Sequence, residues 1–138
     1  LYGGELAGHY YFRDFFYSDS GLMAALIVIS IVSRFHKEGK TFSELISDIR
    51  AYVNSGEINY SIERKEEAME AIKDHFAQKE KTTRFMDFDG YRLEFPDWWF
   101  NVRPSNTEPY LRFIAEAKNP DLLEQKLHEA EKIIKQYS

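Results

Sequence analysis

One long run of apolar residues stands out near the start of the chain. Leu22 to Val32 is apolar except for Ser30. Its length falls short of the roughly 20 residues that a membrane span needs, so the run predicts a buried helix. The Asp-Ser-Gly sequence at 19–21 can cap this helix at its N-terminus, and Gly39 can end it in a left-handed conformation.

A second helix is predicted directly after the first. Thr41 and Glu44 have the spacing of a capping box. The apolar positions that follow recur at helical intervals and predict one buried stripe, formed by Phe42, Leu45, Ile46, Ile49 and Val53. The Asn-Ser-Gly sequence at 54–56 then interrupts the pattern. Small polar residues without an apolar face are typical of a domain boundary, and we expect a hinge here.

Beyond the break, the pattern changes to a strand followed by a helix. Ile58 to Ile62 alternates between apolar and polar residues, which predicts a strand. The charged segment from Glu63 to Lys79 has one apolar face, formed by Ala68, Met69, Ile72 and Phe76. A single apolar face at this spacing predicts a helix that packs on a sheet.

Four further strands and a last helix complete the chain. The aromatic-rich runs 83–88 and 91–95 are joined by Asp89-Gly90, a pair typical of a hairpin turn. The runs 98–102 and 110–117 predict two more strands. Asn119 can cap a final helix with Pro120 in its first turn, and its apolar stripe comprises Leu123, Leu127, Ala130, Ile134 and Tyr137.

The element order predicts an α+β fold. From residue 57 the order is β-α-β-β-β-β-α, which gives an antiparallel sheet covered on one face by two helices. We therefore expect residues 57–138 to form a complete small domain. Residues 1–54 supply two helices and a loop but little sheet, so we interpret them as the helical tail of a truncated α/β domain.

Composition excludes several classes of function. The net charge of −5 gives no general attraction to nucleic acid or to an anionic membrane. The chain contains no cysteine, which excludes disulfides, thiolate metal sites and a cysteine nucleophile. The absence of cysteine fits a reducing compartment, and we expect a cytoplasmic protein.

The sequence NVRPSNTEPYLRF at 101–113 is the first candidate site. Arg103 lies at the end of a predicted strand, and Ser105, Asn106 and Thr107 offer hydroxyl, amide and backbone donors within one turn. A guanidinium with several short donors matches the oxygens of a phosphate. A polar hairpin turn with an exposed arginine fits the same spacing.

The second candidate is GGELAGHYYFRD at 3–14. Glu5 stands between glycines, and His9 follows four residues later. A flexible loop could direct this carboxylate and imidazole at one small ligand, and a carboxylate suits a pair of sugar hydroxyls. The glycine spacing does not match a dinucleotide fingerprint. A glycine-rich turn beside a structural histidine is the alternative.

Other features favour structural roles. Asp87 to Gly90 lacks the further oxygen ligands of a calcium loop and is interpreted as a turn. His36, His75 and His128 have no partner at ligand spacing, so we expect no metal site. The aromatic residues of the predicted sheet could stack RNA bases, but the acidic charge and the strand alternation favour core packing.

Four motifs together resemble one family. GGELAGH, SDSG before a helix, DGYRLEF and RPSNTEPYLR occur with the order and spacing of the α-D-phosphohexomutases. The resemblance covers essentially the whole chain and implies the end of the third domain followed by the fourth. It implies that Arg103, Ser105, Asn106 and Thr107 hold the phosphate that is not transferred. Glu5 and His9 would read sugar hydroxyls, and Ala7 stands where many members have serine.

The resemblance also implies a reaction. In this family a phosphoserine phosphorylates a hexose phosphate, the bisphosphate reorients, and its other phosphate returns to the serine. Mg²⁺ and the phosphoserine belong to the first two domains, so we expect those N-terminal domains as partners and no activity from this chain alone. A non-catalytic phosphate-binding module is the alternative. The residues do not decide between mannose, glucose and glucosamine phosphates.

Overall fold

The chain forms two compact units. A computed structural model describes residues 2–5 and 7–138, with the first unit ending at Arg50 and the second beginning at Ala51. The division precedes the Asn-Ser-Gly sequence at 54–56, because Val53 and Asn54 already form a strand of the second unit. The hinge expected at 54–56 stays a prediction.

The first unit contains a small sheet that the sequence analysis did not predict. Strands β1 (Tyr2–Gly4), β2 (Tyr10–Phe12) and β3 (Ser18–Asp19) pair antiparallel in the order β1-β2-β3. Each strand has only two or three residues. Such short strands show no alternation of apolar and polar residues, so their pattern gave no signal.

The two helices of the first unit begin where their caps predict. Helix α1 (Gly21–Lys37) starts after Ser20, whose hydroxyl accepts from the Met23 amide at 3.2 Å. Gly39 follows its end with a φ of +79°. Helix α2 (Phe42–Ile49) starts with the predicted capping box of Thr41 and Glu44. The local signals in this part of the chain are therefore confirmed.

Burial in the first unit differs from the prediction. No residue of α1 is buried, and Leu22 is 73% exposed. The α2 stripe is also open, with Ile49 70% exposed, and Val53 belongs to a strand instead. Three very short strands offer too little surface to cover two apolar helices. Within residues 2–5 and 7–138, no helix combines the length and the apolar character that crossing a bilayer requires.

The second unit follows the predicted order. Its elements are β4 (Val53–Asn54), β5 (Ile58–Ser61), α3 (Lys65–Lys79), β6 (Arg84–Met86), β7 (Tyr91–Glu94), β8 (Trp98–Pro104), β9 (Tyr110–Ala117) and α4 (Pro120–Ile134). The strands pair antiparallel in the order β4-β9-β8-β7-β6, and β5 also pairs with β9. The β-α-β-β-β-β-α order from residue 57 is confirmed.

Both helices of this unit pack on one face of its sheet. Helix α3 contacts β7 and β8, and α4 contacts β9. The predicted face of α3 is buried in full, comprising Ala68, Met69, Ile72 and Phe76. Phe76 lies 4.8 Å from Trp98 in edge geometry, measured between ring centroids. Such aromatic pairs add about 0.5–1.5 kcal/mol beyond the area they bury, and they fix the helix on the sheet.

The opposite face of the sheet carries polar groups. Along β8, Phe100 and Val102 are buried, whereas Asn101 and Arg103 alternate with them and are half-buried. Because successive side chains of a strand point to opposite faces, Arg103 lies on the face away from the helices. The β8–β9 hairpin therefore presents its arginines on the uncovered side.

Candidate functional site

The β8–β9 hairpin places two arginines side by side. Arg103 on β8 is the direct cross-strand partner of Arg112 on β9. Directly paired residues project from the same face of a sheet, with Cβ atoms about 4.5–5.5 Å apart. The loop 105–109 closes this end of the hairpin, and the Ser105 amide donates to the Tyr110 carbonyl at 2.8 Å.

One carboxylate joins the two guanidiniums. Arg103 Nη2 donates to Glu57 Oε2 at 3.3 Å, and Arg112 Nη1 lies 3.3 Å from Glu57 Oε1. Arg103 Nη1 is also 3.9 Å from Asp89 Oδ2. Like charges directly opposite each other destabilise a sheet, so Glu57 offsets a repulsion that the strand register creates.

Ser105 lies at the centre of the loop contacts. It is 8% exposed, and its Oγ accepts from Arg112 Nη2 at 3.4 Å. Lys65, the first residue of α3, donates from Nζ to the carbonyls of Ser105 and Glu108 at 3.5 Å each. The Ser105 carbonyl and the Asn106 N–H belong to the same peptide unit. In a planar trans peptide these two groups point in opposite directions, so the Asn106 N–H points away from Lys65. The loop is thus held at both ends.

The predicted residues differ in their contacts. Asn106 and Thr107 are exposed at the tip of the loop, and among the described residues neither side chain has a hydrogen-bond partner. The guanidinium that reaches Ser105 is that of Arg112, while Arg103 pairs with Glu57 and lies near Asp89. The phosphate role of Arg103, Ser105, Asn106 and Thr107 stays a prediction.

Sequence reasoning missed three contributors, namely Arg112, Lys65 and Glu57. A signal for Arg112 was present, because Leu111 and Phe113 alternate around it and leave it on the uncovered face. A hairpin loop over 105–109 also pairs position 103 with position 112. Lys65 and Glu57 come from distant parts of the chain, and only the three-dimensional structure shows their contacts.

This end of the hairpin is suited to an oxyanion. It gathers the cations of Lys65, Arg103 and Arg112 around the loop that carries Ser105. Arg112 Nε is buried, and within the described part of the chain it has no hydrogen-bond partner. Charge-assisted bonds from guanidinium to phosphate are about twice as strong as neutral ones. The carboxylates of Glu57 and Glu108 form ion pairs with Arg112 and neutralise part of this positive charge.

The second candidate loop is a tight turn in the first unit. The Gly8 amide donates to the Glu5 carbonyl at 3.0 Å, and the Glu5 amide donates to the His9 carbonyl at 3.0 Å. Gly8 has a φ of +86°, a conformation that favours glycine. These bonds bring the backbones of Glu5 and His9 together. Both residues are exposed, and their role in sugar binding stays a prediction.

Neighbouring strands hold both side chains. Tyr11 Oη donates to Glu5 Oε1 at 2.8 Å, and His9 Nδ1 lies 2.8 Å from Asp19 Oδ2. The Tyr10 amide donates to the other Asp19 oxygen at 2.7 Å. The hydrogen bond and the charge of Asp19 raise the pKa of His9, and the same bond, with the Tyr10 amide, lowers the pKa of Asp19. The sequence pattern gave Asp19 only as part of a helix cap and assigned no role to Tyr11.

Residue types that bind metal ions do not cluster among residues 2–5 and 7–138. No three or more His, Asp or Glu side chains there are grouped so that they could hold an ion.

Asp89-Gly90 lies in the β6–β7 turn, as predicted, and Gly90 has a φ of +71°. A Cβ at Gly90 would lie 2.3 Å from the Val102 carbonyl oxygen and 2.5 Å from Arg103 Cβ. Glycine is therefore required beside Arg103.

Two family profiles match consecutive parts of the chain. The profile described as "Phosphoglucomutase/phosphomannomutase, alpha/beta/alpha domain III" matches residues 1–52. The profile described as "Phosphoglucomutase/phosphomannomutase, C-terminal domain" matches residues 57–133. Each candidate loop lies within one matched segment.

Curated relatives agree with the profiles. A phosphomannomutase of Vibrio cholerae is 41% identical over 137 residues, which are 98% of this chain and 29% of that protein. A phosphomannomutase of Methanocaldococcus jannaschii is 35% identical over 133 residues, 96% of this chain and 28% of the relative. The chain thus spans less than a third of the length of these relatives.

A solved structure has the same fold. It is that of a phosphoglucomutase/phosphomannomutase family protein from Burkholderia thailandensis, with a TM-score of 0.74 and 23% sequence identity. The match covers 99% of this chain and 28% of that chain. At this identity the likeness concerns the fold.

Proposed function

Because the chain belongs to the phosphoglucomutase/phosphomannomutase family, we propose that it is the substrate-binding part of a hexose phosphate mutase. The reaction is the interconversion of hexose 6-phosphate and hexose 1-phosphate. Two curated relatives matched over nearly the whole chain are phosphomannomutases, which supports a hexose phosphate as the substrate class.

The contact between Arg112 and Ser105 carries this proposal. A guanidinium, a nearly buried hydroxyl and the exposed tip residues Asn106 and Thr107 supply donors to one small region. Donors of this kind recognise the tetrahedral oxygens of a phosphate and make little demand on the attached carbon. The loop can therefore hold the distal phosphate of either hexose phosphate isomer, which a reversible mutase requires.

Holding the distal phosphate would contribute to catalysis by positioning the substrate for phosphoryl transfer. Phosphoryl transfer depends mainly on alignment and electrostatic stabilisation, so a fixed distal end aligns the reacting hydroxyl. In the proposed reaction, a phosphoserine transfers its phosphoryl group to the substrate hydroxyl and forms a hexose bisphosphate. The second phosphoryl group then returns to the serine. The serine, Mg²⁺ and its ligands would come from domains outside this chain, so the chain alone would be inactive.

Glu5 and His9 would recognise the sugar. The Glu5 carboxylate accepts hydrogen bonds from hydroxyls, and the His9 imidazole keeps Nε2 for a ligand while Nδ1 bonds to Asp19. Ala7 offers no hydroxyl at the position where many members of the family have serine. Sugar selection in this loop would then depend on the other side chains.

A ³¹P NMR titration of the chain with mannose 1-phosphate tests the phosphate loop. We expect Arg112→Ala and Arg103→Ala each to weaken binding about tenfold, because each loses a charge-assisted hydrogen bond. Arg84→Ala is the matched control, since Arg84 is exposed on β6 and has no ion pair with the described residues. Equal affinities of the parent and the Arg112→Ala variant would overturn the proposal.

A further inference from the structure

A cross-strand row of paired residues in the small sheet, formed by Gly3, Tyr11 and Asp19, lies beside the loop that carries Glu5 and His9. Tyr11 at the middle of β2 pairs with Gly3 on β1 and with Asp19 on β3. Paired residues of antiparallel strands project from the same face, so the side chains of Tyr11 and Asp19 lie together. Gly3 has no side chain, which leaves that end of the row open.

The side chains of Tyr11 and Asp19 bond to different residues of the loop. Tyr11 Oη donates to Glu5 Oε1 at 2.8 Å, and Asp19 Oδ2 lies 2.8 Å from His9 Nδ1. The Tyr10 amide fixes the Asp19 carboxylate by donating to Oδ1 at 2.7 Å. The two loop side chains are thus held independently, one by a phenol and one by an anchored carboxylate.

We propose that Tyr11 and Asp19 are positioning residues for a sugar site, where they direct Glu5 and His9 at a pair of neighbouring hydroxyls. The inference rests on the proposed function, since the ligand is a hexose phosphate. Tyr11 occupies one oxygen of Glu5 and leaves the other to accept from a ligand hydroxyl. Asp19 accepts from Nδ1 of His9 and leaves Nε2 to the ligand. Nε2 donates to a hydroxyl oxygen when the imidazole is protonated and accepts from a hydroxyl when the imidazole is neutral.

The exposed side chains of Glu5 and His9 need the hydrogen bonds from Tyr11 and Asp19 to hold their positions. Glu5 and His9 both lie on the surface, and His9 is 53% exposed. An unrestrained glutamate or histidine loses rotamer entropy when it binds a ligand, and a side chain already held in place loses less. The phenol of Tyr11 restrains Glu5 by donating to its carboxylate. The proposed arrangement thus gives a hexose one acceptor at Glu5 and, when His9 is protonated, one donor at Nε2.

The His9–Asp19 half is tested without any ligand. The pKa of His9 is measured by NMR titration of the imidazole signals, and His9 is assigned by the signal lost in His9→Gln. We expect Asp19→Asn to lower the pKa of His9 relative to the parent, because the anionic partner is gone. Asp14→Asn is the control, since Asp14 is exposed and pairs with Arg13 instead. An unchanged His9 titration in Asp19→Asn would overturn the role of Asp19.

The Tyr11–Glu5 half is tested by comparing two ligands. Tyr11→Phe removes only the hydroxyl, and we expect it to weaken mannose 1-phosphate binding about fivefold. Binding of inorganic phosphate should not change, which separates sugar recognition from loss of fold. Tyr17→Phe is the control at an exposed tyrosine.

The outcomes separate this inference from the proposed function. Unchanged mannose 1-phosphate affinity in Tyr11→Phe, or an equal loss for inorganic phosphate, would overturn the role of Tyr11. A parent chain that binds neither ligand would overturn the proposed function instead. In that case the His9 titration still decides whether Asp19 holds the imidazole.

Discussion

Arg103 and Arg112 face each other across β8 and β9, and both pair with the carboxylate of Glu57. The register of the hairpin places two like-charged residues directly opposite each other, and Glu57 supplies the opposite charge. A ligand phosphate would bring a second anion to the same pair. The two arginines therefore affect both the stability of the hairpin and its proposed binding of phosphate.

Replacing Glu57 should destabilise the second unit. In Glu57→Gln the two guanidiniums lose their shared counter-ion, and we expect a loss of about 1 kcal/mol because the pair is only partly buried. Denaturant unfolding measures the change, with Glu63→Gln as an exposed control. Added phosphate should stabilise Glu57→Gln more than the parent, since it replaces the missing anion. Equal stability of the two proteins would contradict this role of Glu57.

Gly90 should tolerate no side chain. Gly90→Ala places a Cβ 2.3 Å from the Val102 carbonyl oxygen at a φ of +71°. We expect a loss of more than about 2 kcal/mol, which combines backbone strain with the clash. Gly56→Ala is the matched control, because Gly56 has a φ of +70° but no atom within 4 Å of its Cβ. Thermal unfolding should separate the two variants, and similar losses would contradict the clash.

The His9–Asp19 pair should make the first unit most stable in mildly acidic solution. The folded pKa of His9 lies above its ordinary value of 6.5, so this contribution is complete below pH 6.5 and is lost as pH rises through the folded pKa. The folded pKa of Asp19 lies below its ordinary value of 3.8, so its contribution is complete above that pH and is lost on further acidification.

The difference in unfolding free energy between the parent and Asp19→Asn measures this contribution at each pH. We expect the largest difference between pH 3.8 and 6.5 and a decline above that range. A difference that is constant from pH 5 to pH 9 would show that the pair carries no titrating interaction.

Glu80 should be important for the helix layer of the second unit. Lys126 is 7% exposed, and its Nζ donates to Glu80 Oε1 at 2.7 Å. The Trp98 indole donates to the other Glu80 oxygen at 3.0 Å. Glu80→Ala leaves the buried ammonium without this partner, and we expect a loss of about 2 kcal/mol. Glu124→Ala, at an exposed position on α4, should stay close to the parent in denaturant unfolding.

Local signals predicted most of the second unit. The periodic face of α3 and the Asn119 cap of α4 are confirmed because a helix needs only nearby residues to begin and to align its apolar side. Strand β9 has the predicted bounds, since its alternation extends over eight residues. Long, regular patterns leave few alternatives for the local structure.

What the sequence left open depends on contacts between distant residues. The Glu57–Arg112 pair joins residues that only the sheet brings together, and the Tyr11–Asp19 row joins strands too short for a visible alternation. The exposure of α1 could not be predicted either, because an apolar run specifies a helix that favours burial but not the surface that buries it. The sequence predicted the positions of the candidate loops, but it did not predict which side chains hold them in place.

We propose that the loop at 105–109, with Arg112, binds a phosphate. The most direct measurement is a ¹H–¹⁵N NMR titration of the chain with inorganic phosphate, followed at the backbone amides and at the arginine Nε–H groups. We expect saturable shifts of the Asn106 and Thr107 amides and of Arg112 Nε–H. Shifts confined to other parts of the chain, with these three signals unchanged at saturating phosphate, would contradict it.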